Sequence, residues 1–98
     1  MLLVRDILQI DPARMKAVRE LAQKNVGLLR KLNLPVTRLL TDLVGDYYTL
    51  VIESEVPDLA AFEEGLQSGF ADAEWQAFYG QIRSAVRGGR REIFTVLE

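Results

Sequence analysis

The feature that most constrains this chain is the order in which its hydrophobic periodicities change. A period of two fits Leu2–Ile10, a helical period fits Pro12–Leu32, and a second period-two stretch spans Val36–Val56 around Gly45-Asp46. Helical spacing returns from Asp58 to Arg87, and a last strand covers Arg91–Leu97. Two strand–helix–strand units in tandem, βαββαβ, predict an α+β fold. Right-handed crossovers put both helical regions on one face of a four-stranded antiparallel sheet. The 98 residues fit one domain, 1–98, near the lower end of what buries a self-sufficient core.

Composition then excludes whole classes of chemistry. Twelve basic against fourteen acidic residues give a net charge of -2, without the basic excess of a general nucleic-acid binder. No apolar run approaches the roughly 18 residues that span a bilayer, so no membrane partner is expected. The opening Met1-Leu2-Leu3-Val4-Arg5-Asp6 meets charges at once and reads as a strand rather than an export signal, which makes a cytoplasmic location the expectation. There is no Cys and no His, so thiolate chemistry is excluded and the commonest metal ligand and general base are missing. No metal motif or nucleotide fingerprint is found, and no cofactor is expected.

In the first helical region Met15, Val18, Leu21, Ala22, Leu28, Leu29 and Leu32 form one apolar stripe. Asp11 is the expected N-cap, with Pro12 at the first helical position, and Pro35 closes the segment. Asn25 interrupts the stripe. A buried amide needs partners, so Asn25 is either bonded to a nearby carbonyl or water, the commoner fate, or points into a cavity between helix and sheet.

Taking Gly45-Asp46 as a two-residue turn sets the hairpin register. Leu43/Tyr48, Thr41/Leu50, Leu39/Ile52 and Thr37/Ser54 share a face suited to the helices. Val44/Tyr47, Asp42/Thr49, Leu40/Val51, Arg38/Glu53 and Val36/Glu55 share the other. The first and last strands are also apolar on both sides, unlike an antiparallel sheet with one solvated face. A second copy of the chain is therefore expected to cover the helix-free face, with Arg38, Leu40, Val51 and Glu53 in the homodimer interface.

The second crossover reads as two pieces. Asp58 caps one with Leu59, Phe62 and Leu66 inward; Ser68-Gly69 interrupts it; Asp72 caps another whose stripe is Trp75, Phe78, Tyr79, Ile82 and Val86. Gly88-Gly89 closes that helix. Aromatic residues at helical spacing are usually core, but the polar tips of Trp75 and Tyr79, with Asn25, also suit a mostly apolar pocket. Arg83, Arg87, Arg90 and Arg91 read either as an anion site or as cations gathered at a helix C-terminus.

Several segments together suggest a family. Arg5 on the opening strand, Asp11-Pro12, Gly45-Asp46-Tyr47-Tyr48, Ala61–Glu63, Asp72-Ala73-Glu74-Trp75 and the closing Gly89-Arg90-Arg91-Glu92-Ile93 resemble the dimeric α/β-barrel superfamily, in particular its NIPSNAP-like and antibiotic-biosynthesis-monooxygenase-like members. The resemblance spans the whole chain. It implies a ferredoxin-like protomer, a homodimer with sheets face to face, and a small-molecule cavity between sheet and helices. The haem-handling branches use a His on the second helical region, which this chain lacks. Arg5, Asn25, Trp75 and Tyr79 are the loose counterparts of pocket residues in the cofactor-free monooxygenases.

Two functions follow as expectations. One is a homodimeric binding or accessory protein for a small apolar or aromatic ligand. The other is a cofactor-free monooxygenase for an aromatic or polyketide-like substrate whose carbanion activates dioxygen. There Asn25 and Trp75 would donate to the oxyanion, Tyr79 or Asp6 would handle the proton, and Arg5 would compensate charge.

Overall fold

The computed structural model describes residues 1–31 and 35–97. Its four strands, β1 (Leu2–Ile10), β2 (Val36–Thr41), β3 (Thr49–Val56) and β4 (Val86–Thr95), form one antiparallel sheet in the order β2-β3-β1-β4. Helices α1 (Met15–Lys24) and α2 (Val26–Lys31) fill the first crossover, and α3 (Leu59–Phe70) and α4 (Ala73–Ala85) the second. This is the ferredoxin-like βαββαβ arrangement expected from the sequence.

Strand β1 organises the sheet because it is paired along both edges. Leu2, Val4, Asp6, Leu8 and Ile10 alternate with Leu3, Arg5, Ile7 and Gln9, so the two sets stand on opposite faces. Val4 and Ile10 join Leu50 and Val56 of β3 in a core closed by Val18, Ala22, Leu29, Phe62, Trp75, Phe78 and Ile82 from the helices. Burying a side chain such as Val4 or Leu50 contributes about 1.5–3 kcal/mol.

The helix starts follow their side-chain caps. Ala13 N donates to Asp11 Oδ1 at 3.0 Å, Ala61 N to Asp58 Oδ1 at 2.8 Å, and Trp75 N to Asp72 Oδ1 at 2.9 Å. Asp11 caps a single 3-10 turn, Pro12–Arg14, ahead of α1. The single long helix expected from Pro12 onward is divided at Asn25, which caps α1 and precedes α2; its end at Leu32 lies outside the described residues. Helix α3 runs through Ser68-Gly69, and the break falls at Ala71-Asp72. Leu59, expected inward, is exposed at the first position of α3, and the buried residues of that helix are Phe62, Gly65 and Gly69.

The hairpin keeps the expected register over Arg38↔Glu53, Leu39↔Ile52, Leu40↔Val51 and Thr41↔Leu50. Its turn is different. Residues 42–48 form a loop outside the ladder, closed by side chains: Thr49 N donates to Asp42 Oδ1 at 2.9 Å and Thr49 Oγ1 to Asp46 O at 2.8 Å. Tyr48 takes a left-handed φ of 57°, and the pairs expected at Asp42–Tyr48 do not form. At the other end a bulge at Thr37 sets Val36 opposite Ser54. That extra residue turns Val36 onto the helix face, where it is buried, instead of opposite Glu55.

Gly88-Gly89 belongs to the sheet. These residues do not cap α4: they lie inside β4, paired with Gln9 and Leu8, and β4 starts at Val86 rather than Arg91. The long β1 leaves partners free for the earlier start, with a register shift between Gln9 and Ile10. Gly89 has φ +156°, and a Cβ there would collide with the Ile7 carbonyl oxygen. Gly80, on the open side of α4, meets nothing within 4 Å. Gly89→Ala should therefore destabilise by about 1–3 kcal/mol, whereas Gly80→Ala should stabilise by about 0.5–1 kcal/mol. Urea denaturation of the two variants beside the parent checks both signs.

Candidate functional site

Between the helices and the sheet lies a cavity of about 340 Å³. The sheet supplies Asp6, Leu8, Val36, Ile52, Ser54 and Arg91; the helices supply Leu29, Phe62, Leu66, Phe70, Trp75, Phe78, Tyr79 and Ile82. The volume sits at the lower end of the roughly 300–1,000 Å³ of small-molecule sites, and an apolar wall with few polar groups is their usual chemistry.

Four aromatic rings build one wall. Trp75 stacks on Tyr79 at 5.9 Å between centroids and tilts against Phe78 at 5.7 Å, while Phe70 meets Tyr79 edge-on at 6.3 Å. Gly69 is what admits the indole so close to α3: a Cβ at that position would lie 2.9 Å from Trp75 Nε1. That Nε1 is buried without a hydrogen-bond partner among the described residues. An orphaned buried donor costs about 1–3 kcal/mol.

One ion pair borders the cavity. Arg91 Nε donates to Asp6 Oδ1 at 2.6 Å, and the guanidinium carbon sits 5.0 Å from the Phe62 ring centroid. The two residues are register partners on β4 and β1.

Of the pocket residues expected from the sequence, Trp75 and Tyr79 line the cavity and Arg5 and Asn25 do not. Strand alternation turns Arg5 to the helix-free face. Asn25 Nδ2 donates to Leu21 O at 2.8 Å, so the amide is satisfied one turn back along its own helix. Arg91 is the cavity cation that sequence reading missed. Finding it needed the β1–β4 register, which the early start of β4 conceals. The arginine cluster also dissolves: Arg87 pairs with Asp11 at 3.3 Å, Arg90 with Glu92 at 3.1 Å, and Arg90 and Arg91 project to opposite faces as strand neighbours.

The helix-free face carries a second constellation. Register aligns Arg38, Glu53, Arg5 and Glu92 across all four strands. Glu53 is only 1 % exposed although no helix covers it. Its Oε2 accepts from Arg5 Nε at 2.8 Å and its Oε1 from Arg38 Nε at 2.9 Å. Arg5 also lies 5.4 Å from the Phe94 ring centroid. Leu40 and Val51, named with Arg38 and Glu53 as interface residues, stand on this same face, beside Leu3, Ile7 and Phe94.

No family model matches the sequence, and no curated protein matches it. Solved structures do match. An uncharacterized NIPSNAP domain protein from Burkholderia xenovorans superposes with a TM-score of 0.89 at 16% identity, over 99% of this chain and 95% of that one. A NIPSNAP family protein from Agrobacterium tumefaciens gives 0.91 at 13% identity, over 99% and 93%. This chain has their fold. A putative antibiotic biosynthesis monooxygenase from Nitrosomonas europaea matches at 0.77 and 11% identity over the full length of both chains. These are the two groups that the sequence resembled.

Burial pushes the Glu53 carboxyl up, but hydrogen bonds and charge from Arg5 and Arg38 outweigh it and leave the group below its ordinary value. A depressed folded-state pKa adds stability that is present above the unfolded carboxylate range, about pH 4.3, and is lost as pH falls through the lower folded value. Thermal unfolding between pH 7 and pH 3 should show this acid-side loss, and Glu53→Gln should flatten the part due to this group. An unchanged slope in that variant would place the linkage elsewhere.

Proposed function

We propose that this chain is a homodimeric protein that binds a small apolar or aromatic molecule in the cavity between sheet and helices. The observation that carries this reading is the cavity wall itself: Trp75, Tyr79, Phe70 and Phe78 on one side, with Asp6 and Arg91 as polar groups at its edge. A second copy of the chain on the helix-free face is the counterpart reading for Leu3, Ile7, Leu40, Val51 and Phe94. Those side chains leave that face too apolar for water alone, and covering it would further desolvate the Arg38–Glu53–Arg5 row.

A second reading keeps the same cavity and adds a reaction. The Nitrosomonas europaea protein is a putative antibiotic biosynthesis monooxygenase, and here Asp6, Tyr79 and the unpartnered Trp75 indole belong to one cavity. In a cofactor-free oxygenation the Asp6 carboxylate would take a proton from the substrate carbon, with the Tyr79 hydroxyl as the alternative group to handle the proton. The carbanion would pass an electron to dioxygen and combine with it as a carbon-bound hydroperoxide, and loss of water would leave a carbonyl. Oxygen uptake with anthrone- or quinol-like substrates separates this reading from simple binding: uptake that Trp75→Phe lowers favours oxygenation, and none across the panel favours binding.

Native mass spectrometry of freshly purified protein should give a dimer with a small adduct that is lost on denaturation. A monomer would remove the homodimer. Arg38→Ala should raise the dimer dissociation constant about tenfold, because Glu53 would then keep Arg5 alone as partner. Sedimentation of parent and variant measures that shift, and equal constants would take Arg38 out of the interface.

A further inference from the structure

We infer that the cavity selects uncharged ligands whose apolar body ends in a hydrogen-bond donor and acceptor side by side, a group of carboxamide type, and that Asp6 and Arg91 are the residues that select it. The inference rests on the cavity being a ligand site and names what that site accepts.

Beside the neutral polar groups of Ser54, Trp75 and Tyr79, Asp6 and Arg91 are the two ionised residues of a mostly apolar lining, and they are bound to each other through Arg91 Nε and Asp6 Oδ1. No other described residue takes an ion pair or hydrogen bond from the Arg91 guanidinium, and none donates to Asp6. Phe62 fixes the guanidinium from the α3 side. Bound together through Nε and Oδ1 at 2.6 Å, the two residues leave the terminal guanidinium N–H groups and the second carboxylate oxygen for a ligand, with no net charge on the pair.

That combination discriminates among ligand heads. A carboxylate reaching Arg91 meets the Asp6 charge beside it, so repulsion cancels much of what the guanidinium gives. An ammonium group meets the mirror problem with Arg91. A carboxamide meets neither: its carbonyl oxygen accepts from Arg91 while its N–H donates to Asp6. Hydrogen bonds to charged partners are the stronger kind, and a bare hydrocarbon leaves both partners to water at the cavity edge.

Trp75 supplies the readout, since it is the sole tryptophan of the sequence and lines the cavity. Three matched probes, 2-naphthamide, 2-naphthoate and naphthalene, are titrated at pH 7 while tryptophan fluorescence is followed. The amide should bind about tenfold or more tightly than the carboxylate, with naphthalene weaker than the amide. In the Asp6→Asn/Arg91→Gln double variant the amide-over-carboxylate ratio should fall toward one while naphthalene affinity is kept, which shows the cavity still formed. Equal affinities in the parent, tighter binding of the carboxylate, or an unchanged ratio in the double variant would overturn the selectivity and leave the cavity standing. No response to any of the three would remove the cavity as a ligand site, and this inference with it.

Discussion

Strand β1 is hydrogen-bonded to a neighbour on both edges, and the alternation of its side chains assigns two different chemistries to the two faces of the sheet. The division is sharpest at Arg5-Asp6. Arg5 points away from the helices and holds Glu53; Asp6 points toward them and holds Arg91. Two consecutive residues thus anchor the charge row of one face and the cavity edge of the other. A register slip of one residue would exchange them, placing Arg5 in the cavity and Asp6 against Glu53. The core side chains Val4, Leu8 and Ile10 prevent that slip, because the same shift would expose all three.

Both constellations follow one electrostatic rule. A carboxylate that loses water is tolerated only with cations and hydrogen bonds in its place. Glu53 loses nearly all of its contact with water and has two guanidiniums; Asp6 remains partly exposed and has one. Such pairs add little net stability compared with apolar residues of the same shape, but removing one partner strands the other.

What was legible in the sequence was what local chemistry decides. Asp58 and Asp72 cap helices because their own next turns need acceptors, and the Arg38–Thr41 register follows from alternation within one hairpin. What was not legible depends on residues far apart in the chain. Gly88-Gly89 looks like a helix terminus until β1 claims it as a strand, and Val36 changes face only through a one-residue bulge. The cavity residues divide the same way. Trp75 and Tyr79 share a helical stripe that the sequence displays, whereas Arg91 reaches the cavity through pairing with Asp6, 85 positions away. Asn25 was the one polar residue on an apolar stripe, and its own helix satisfied it.

The size of the cavity bears on whether it is a packing defect. Protein interiors are packed to crystal-like density, and voids in apolar surroundings cost about 24 cal/mol per Å³. For a closed, empty space of about 340 Å³ that coefficient gives about 8 kcal/mol, comparable to the whole 5–15 kcal/mol stability of a domain. A chain of 98 residues has no such margin. The space is not closed: Phe70, Tyr79 and Arg91 of its lining are exposed to solvent, and the aromatic wall keeps its own ring contacts. Water against that wall is a less favourable occupant than an apolar group. On the proposed reading, an apolar body that displaces that water would gain at the aromatic wall, and a head that meets Asp6 and Arg91 together would gain at the ion pair.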